Sequence, residues 1–433
     1  MSLFAQEIPR ANLVVCGARI VDPVEGIDVV ADVRVDDGVI TAIGDRLDTN
    51  DHRVVGASGR VLAPAFVDPH VHLRTPGRED EETIASGTAA AAAGGYCAIL
   101  AMPNTEPVVD SAAVLTGLVA RARKEAIVPT GFLAAITKRQ AGEELTEMGE
   151  LADAGAAGFT DDGRPVASAA MMRRALTYHA ITGRRLAVHC EEPSLTKGTH
   201  LHAGAVSAEL GIGGYPSLGE SLCVERDLAL AADTGQPLHL MHLSARESVE
   251  ALERAQARGT AATGEVTPHH LCLTDDAVRS LDANFKMNPP LRAESDRLAL
   301  IEALRAGTIA AVATDHAPHA REEKELTFED APFGVTGLET AFSALYTHLV
   351  LPGLLTLETL LERMSAGPAR IFGLDRPRIA KGAPANLVLL DLESGWRVDE
   401  AGFRSRSANS WLLGERLQGR VAMTVADGRV AFE

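Results

Sequence analysis

The chain has 433 residues, with 46% hydrophobic, 23% charged and 4% aromatic side chains. That globular balance can bury a large core, and it excludes a disordered or collagen-like chain. The net charge of −18, from 41 Lys and Arg against 59 Asp and Glu, repels phosphate backbones. No basic patch offsets it, so nucleic acid is not an expected partner. No run of about 18 apolar residues occurs, so no membrane-spanning helix and no membrane partner are expected. The opening MSLFAQEIPRANLVV lacks a basic segment followed by an apolar one, so no signal peptide is expected. The five cysteines (Cys16, Cys97, Cys190, Cys223, Cys272) are odd in number, scattered and without a CxxC. They read as reduced core-filling thiols of a cytoplasmic protein.

The first sixty residues read as short strands. LVVCGARIV is followed by VADVRVDDGVITAIG, where Asp37-Gly38 supplies a hairpin turn. The middle of the chain then alternates apolar runs with helical stretches. Its eight strand candidates are VLAPAFVDPH, YCAILAMPN, IVPTGFLAAIT, AAGFTDDG, RLAVHCEE, PLHLMHLS, TAATGEVTPHH and TIAAVATDHAPH. Between them lie helix-like segments such as EETIASGTAAAAAG, SAAVLTGLVARARKEA, ASAAMMRRALTYHAITG, SLGESLCVERDLALAADTG and SARESVEALERAQARG. Repeated strand–helix–strand units mean a parallel sheet, and eight strands close a (β/α)8 TIM-type barrel. A doubly wound open sheet is the alternative, but the Gly-rich turn expected after its first strand is missing. The C-terminus returns to strands, NLVLLDL and then RVAMTVADGRVAFE with a turn at Asp427-Gly428. The expected organisation is an α/β chain. A metal-dependent barrel over 61–379 is flanked by a small composite β-sandwich from 1–60 and 380–433.

Polar residues cluster just after the apolar runs: Asp68, His70 and His72; Asn104; Asp162; His189; His242; His269 and His270; Asp315, His316 and His319. In a parallel barrel those strand ends share one face, where active sites sit. His70 and His72 are two apart on an extended strand, so both imidazoles point the same way and reach one ion. Imidazole and carboxylate donors suit zinc, and further histidines on separate strands suggest a second ion. Two ions about 3.5–4 Å apart need a bridging anion. Asp161 and Asp162 of GFTDDG are the candidates. Arg74, two residues beyond His72, shares its side of the chain and can hold a carboxylate through two parallel hydrogen bonds.

DPHVHLRTPG, AMPNT, GFTDDG, AVHCEE, MHLS, EVTPHHL, FKMNPPLR, ATDHAPH and APFGVTGLET, in this order, resemble a type I, bacterial long-chain dihydroorotase of the amidohydrolase superfamily. The resemblance covers essentially the whole chain, including KGAPANLVLLD. It implies a first zinc on His70, His72 and Asp315, a second on His189 and His242, and Asp162 as the bridge, with Asp161 as the fallback. It implies substrate contacts from His72, Arg74, Asn104, Asn288 and His319, with the backbone at Phe333 and Gly334 over the ring. The implied activity interconverts N-carbamoyl-L-aspartate and L-dihydroorotate in de novo pyrimidine biosynthesis. Metal-bound hydroxide attacks and Asp315 shuttles the proton. A homodimer is expected, and association with aspartate transcarbamoylase is left open.

Two other readings compete. Dihydropyrimidinase- or allantoinase-type hydrolases use a carboxylated lysine at the bridging position, which GFTDDG lacks. An inactive scaffold for aspartate transcarbamoylase would have lost metal ligands that are present here. One of His269 and His270 is expected to hydrogen-bond a ligand residue, and His316 is expected to pack rather than ligate. His200 and His202 are expected to be exposed. REEKEL (321–326) reads as a solvated loop or a mobile lid.

Overall fold

The computed structural model describes residues 3–433. Eight parallel strands lie in chain order: β1 (Phe66–Val71), β2 (Tyr96–Ala101), β3 (Thr130–Ala134), β4 (Gly158–Phe159), β5 (Arg185–Val188), β6 (Leu238–Leu240), β7 (Ala262–Val266) and β8 (Ala311–Val312). Just past β8, a parallel bridge from His316 to Val71 and the 2.8 Å bond from the His72 amide to the His316 carbonyl bring the last strand back to the first. The sheet thus closes into the expected barrel. All residues of β1, β2 and β3 are buried, because a barrel strand is covered on both faces.

Each strand candidate contributes to the barrel, with one division. VLAPAFVDPH breaks at Ala65, and Val61–Pro64 pairs antiparallel with residues 387–390 of the C-terminal segment. The Ala65 amide turns to the Asn386 carbonyl at 3.0 Å, so the chain changes sheets there. The helices α1 (Ile84–Ala93), α2 (Ala112–Glu125), α3 (Met148–Asp153), α4 (Ala169–His179), α5 (Ser217–Thr234), α6 (Arg246–Ala257) and α7 (Glu294–Ala306) occupy the connections. Their ends follow local chemistry. Thr83 and Ser86 form a capping box on α1, and the Ser168 hydroxyl caps α4. Helix α6 buries Val249, Leu252 and Ala255 on one side, leaving Glu250, Glu253 and Arg254 outside.

The two ends of the chain form one further eight-stranded sheet around its own apolar cluster, which includes Val15, Ile20, Val33, Ile40, Leu387, Leu389 and Val425. Both expected hairpin turns are present. Asp37-Gly38 and Asp427-Gly428 have positive φ at both residues, which suits the twist of the flanking strands. The turns pack on one another so closely that a Cβ on Gly38 would lie 2.9 Å from the Gly428 Cα.

Candidate metal centre

The site lies at the C-terminal ends of the barrel strands, as a parallel barrel requires. Buried Asp68 ties β1 to the end of β8 by accepting bonds from the Thr314 amide and hydroxyl. That anchors the start of the His70–His72 pair. The His70 Nδ1 lies 2.8 Å from Glu265 Oε1 on β7, and the other Glu265 oxygen lies 2.9 Å from His239 Nε2 on β6. The His72 Nδ1 donates to Asn104 Oδ1 at 2.9 Å. The His189 Nε2 lies 2.9 Å from Glu191 Oε2. In all three rings an outer acceptor holds one nitrogen, so the other nitrogen turns its lone pair inward.

The inward atoms surround one carboxylate. Asp162 Oδ1 lies 3.6 Å from His70 Nε2, 3.8 Å from His189 Nδ1 and 3.6 Å from His242 Nε2, and Asp162 Oδ2 lies 3.5 Å from His72 Nε2. Asp315 Oδ1 lies 3.4 Å from His70 Nε2 and 3.1 Å from His72 Nε2. Burial alone would raise these carboxyls, but the imidazoles hold both below the usual range. Asp161 faces elsewhere. It accepts from the Ile136 amide at 2.8 Å and the Thr137 amide at 3.1 Å, and burial pushes its carboxyl up to about 6.

This donor set fits divalent cations on three observations. Among the described residues, His70 Nε2 is buried without a hydrogen-bond partner. The facing His189 Nδ1 and His242 Nε2 lie only 3.0 Å apart, close enough for one shared cation or one ring proton to bridge them. Two groups, His70–His72–Asp162 and Asp162–His189–His242, each bring their donor atoms within 4.8 Å, and they share Asp162. The backbone is also constrained here. His242, Asp315 and Arg74 have φ of 31°, 49° and 53°, conformations that cost a non-glycine residue energy and cluster at functional sites.

A cavity of about 550 Å³ opens over the cluster. Its lining includes His72, Arg74, Asn104, Asp162, His189, His242, Asn288, Asp315, His319, Phe333 and Gly334. Every residue expected at the site except His70, which lies beneath it, therefore borders one space. Arg74 is held by Glu81 at 3.1 Å and by the Pro318 carbonyl at 3.0 Å, and its Nη2 lies 3.3 Å from His319 Nε2. The His319 ring sits between Glu81 Oε1, 3.0 Å from Nδ1, and the Phe333 carbonyl, 2.8 Å from Nε2. The Asn104 amide donates to Asp162 Oδ2 at 3.3 Å, and Asn288 donates to Glu191 at 2.9 Å.

The other histidines divide. His270 bonds the Pro289 carbonyl and so braces the turn carrying Asn288, while His269 Nε2 is buried without a partner among the described residues. His316 bonds Glu82 at 3.1 Å and packs, as expected. His200 and His202 are half-buried, not exposed. His200 stacks on Phe333, and His202 meets the buried Arg292, because the loop carrying them folds back over the barrel mouth. Within REEKEL, Arg321–Lys324 is helical, and Lys324 bonds the Pro332 and Gly334 carbonyls. Sequence reasoning missed Glu265, Glu191, Glu81 and His239. Glu191 was within reach of the argument that found the His70 pair, since it stands two residues beyond His189.

Residues 59–248 match the family model described as dihydro-orotase-like. The chain is 46% identical over 420 residues to a dihydroorotase of Anaeromyxobacter dehalogenans (96% of this chain, 97% of that one). It is 46% identical over 409 residues to a dihydroorotase of Halalkalibacterium halodurans (94% and 96%). Among solved structures it resembles the L-hydantoinase (dihydropyrimidinase) of Arthrobacter aurescens, with a TM-score of 0.87 at 27% identity, covering 97% of this chain and 96% of that one. With its barrel, its clustered histidines and these full-length relatives, the chain belongs to the dihydroorotase family of cyclic-amide hydrolases.

Proposed function

We propose that this enzyme interconverts N-carbamoyl-L-aspartate and L-dihydroorotate in pyrimidine biosynthesis, with two zinc ions at the strand ends. The observation that carries the reading is the Asp162 carboxylate among four imidazoles, beside a cavity that presents Arg74 and His319. His70, His72 and Asp315 would hold one ion, His189 and His242 the other, and Asp162 both. When bound, such cations lower the pKa of a water toward about 7 and polarise an amide carbonyl.

The chain's own groups do the rest. Arg74, Asn104 and His319 border the cavity and suit the substrate's α-carboxylate, while Asn288 and the Phe333–Gly334 backbone bound the ring. In ring opening, water oxygen adds to the amide carbon and the C–N bond breaks. Asp315 accepts the water's proton and passes it to the leaving ring nitrogen. Ring closure reverses these events, with the ureido nitrogen attacking and the carboxylate losing one oxygen as water. A division into a barrel and a terminal unit belongs to the same proposal, with the expected boundary at 61 moved to Ala65 because Val61–Pro64 pairs with residues 387–390. So does a homodimer, with or without aspartate transcarbamoylase, which sedimentation with and without that enzyme tests.

The deciding experiment compares turnover of L-dihydroorotate with that of dihydrouracil and hydantoin, with metal counted before and after chelation. Turnover of dihydroorotate alone, lost on chelation and restored by zinc, is expected. Preference for the rings without a carboxylate would overturn the substrate assignment. Full activity in metal-free enzyme would overturn the metal, and zinc-loaded protein with no turnover would leave the scaffold reading.

A further inference from the structure

The loop over the cavity mouth has an unusual backbone arrangement. Four consecutive carbonyls, from Ala331 to Gly334, each meet a side-chain nitrogen. Lys286 Nζ donates to the Glu329 carbonyl at 2.9 Å and to the Ala331 carbonyl at 2.6 Å. Lys324 Nζ donates to the Pro332 carbonyl at 3.0 Å and to the Gly334 carbonyl at 2.9 Å. The Phe333 carbonyl between them meets His319. Lys286 is only 1% exposed, and its ammonium lies 4.6 Å from the centre of the Phe333 ring and 5.5 Å from that of Phe328. Its backbone carbonyl also takes the Gly334 amide at 2.9 Å.

A buried ammonium is costly unless its charge is answered. Here the answer is carbonyl dipoles and aromatic faces. Desolvation accordingly pushes Lys286 down to about 8 and Lys324 to about 7. Two such cations under one loop have a structural consequence that a surface lysine lacks. Gly334 fits this tight seat. Its φ is 121°, and a Cβ there would lie 2.6 Å from Ala317 Cβ and 3.3 Å from His319 Nε2.

We propose that Lys286 and Lys324 are positioning residues for substrate binding, which collect the carbonyls of Glu329, Ala331, Pro332 and Gly334 and so set the Phe333–Gly334 backbone at its height over the cavity. The proposal rests on the reading of that cavity as the dihydroorotate site. The lysines act through the loop and touch no reacting atom. Their loss therefore loosens the roof and weakens binding, while the groups that move protons stay in place.

Lys324→Met, Lys286→Met and Lys324→Arg are compared with the parent in the zinc-loaded enzyme. KM for L-dihydroorotate is expected to rise at least tenfold in the methionine variants, with kcat changed less than threefold. Lys324→Arg is expected to recover most of the KM, because it keeps the charge. Hydrogen exchange supplies a readout independent of turnover. Peptides spanning 328–336 should exchange at least tenfold faster in Lys324→Met, with the barrel strands unchanged. If Lys286→Met does not fold, Lys324→Met carries the test, since Lys324 is only half-buried. An unchanged KM in Lys324→Met, or a fall in kcat at constant KM, overturns the proposal. If the parent enzyme does not turn over dihydroorotate, the functional reading fails by itself, and unchanged exchange at 328–336 then overturns the clasp.

Discussion

Replacing Glu265 by glutamine isolates the influence of a charge that never touches substrate. Glu265 is 1% exposed and accepts from His70 at 2.8 Å and from His239 at 2.9 Å, while His239 Nδ1 lies 2.8 Å from the Thr263 hydroxyl. A glutamine can keep its oxygen on His70. Its amide then faces His239, which can move its own proton to Nδ1 and donate to Thr263 Oγ1. Every hydrogen bond is retained and only the negative charge is lost. The metal-free Glu265→Gln protein should therefore unfold within about 1 kcal/mol of the parent. The anion polarises the His70 ring and strengthens its inward lone pair. Losing it should weaken zinc binding about 10- to 100-fold, or roughly 1.4–2.7 kcal/mol at 1.36 kcal/mol per decade. Glu265→Leu instead strands two buried ring nitrogens. It should cost roughly 2–6 kcal/mol of stability, at about 1–3 kcal/mol for each orphan. Zinc affinity is read by competition with a chelator, and stability by denaturant unfolding of the metal-free forms. A glutamine variant whose zinc affinity stays within about twofold of the parent would refute the reasoning.

Two further outcomes follow from the geometry. Asp162→Asn should empty the site of metal and lower kcat at least about a hundredfold. Asp161→Asn should keep its metal and lose roughly 1–3 kcal/mol of stability, because that carboxylate braces the Ile136 and Thr137 amides. Elemental analysis and unfolding of both variants test this, and the opposite pattern would exchange the two assignments. KM should rise as pH increases through about 7, where Lys324 gives up its proton. The charged groups facing it are Lys286, Asp282 and Glu323, beside a His319 ring that burial keeps neutral, and deprotonation removes the charge from its bonds to the loop. Lys324→Arg keeps its charge beyond about pH 12 and should flatten the rise. A parent enzyme with level KM between about pH 6 and 9 would contradict the assignment.

Much of the architecture was legible because barrel strands are buried on both faces. β1, β2 and β3 stand out as apolar runs, and the polar residues that end the runs converge on one mouth. The His70–His72 pair was readable for the same local reason, the two-residue period of an extended chain. Glu265 was not. It ends an apolar run as the ligands do, yet what matters is that β6 lies beside β7, which sets His239 on one oxygen, and that the closed barrel brings His70 of β1 to the other. The division of VLAPAFVDPH was also hidden. Val61–Pro64 and Phe66–Val71 are both apolar, and only pairing with residues 387–390, more than three hundred positions away, separates them.

The amino-acid order by itself determined the eight-strand repeat, the set of imidazoles and carboxylates and the two hairpin turns, because each depends on neighbours a few positions apart. The choice between adjacent Asp161 and Asp162 needed the tertiary structure. Their peptide environments differ only once the segment after β3 supplies the Ile136 and Thr137 amides to one and three strand ends supply four imidazoles to the other. The seating of Lys286 and Lys324 under the roof loop likewise depends on distant backbone. A carbonyl acceptor leaves no mark on the side-chain sequence, and it is located only when the chain has folded around it.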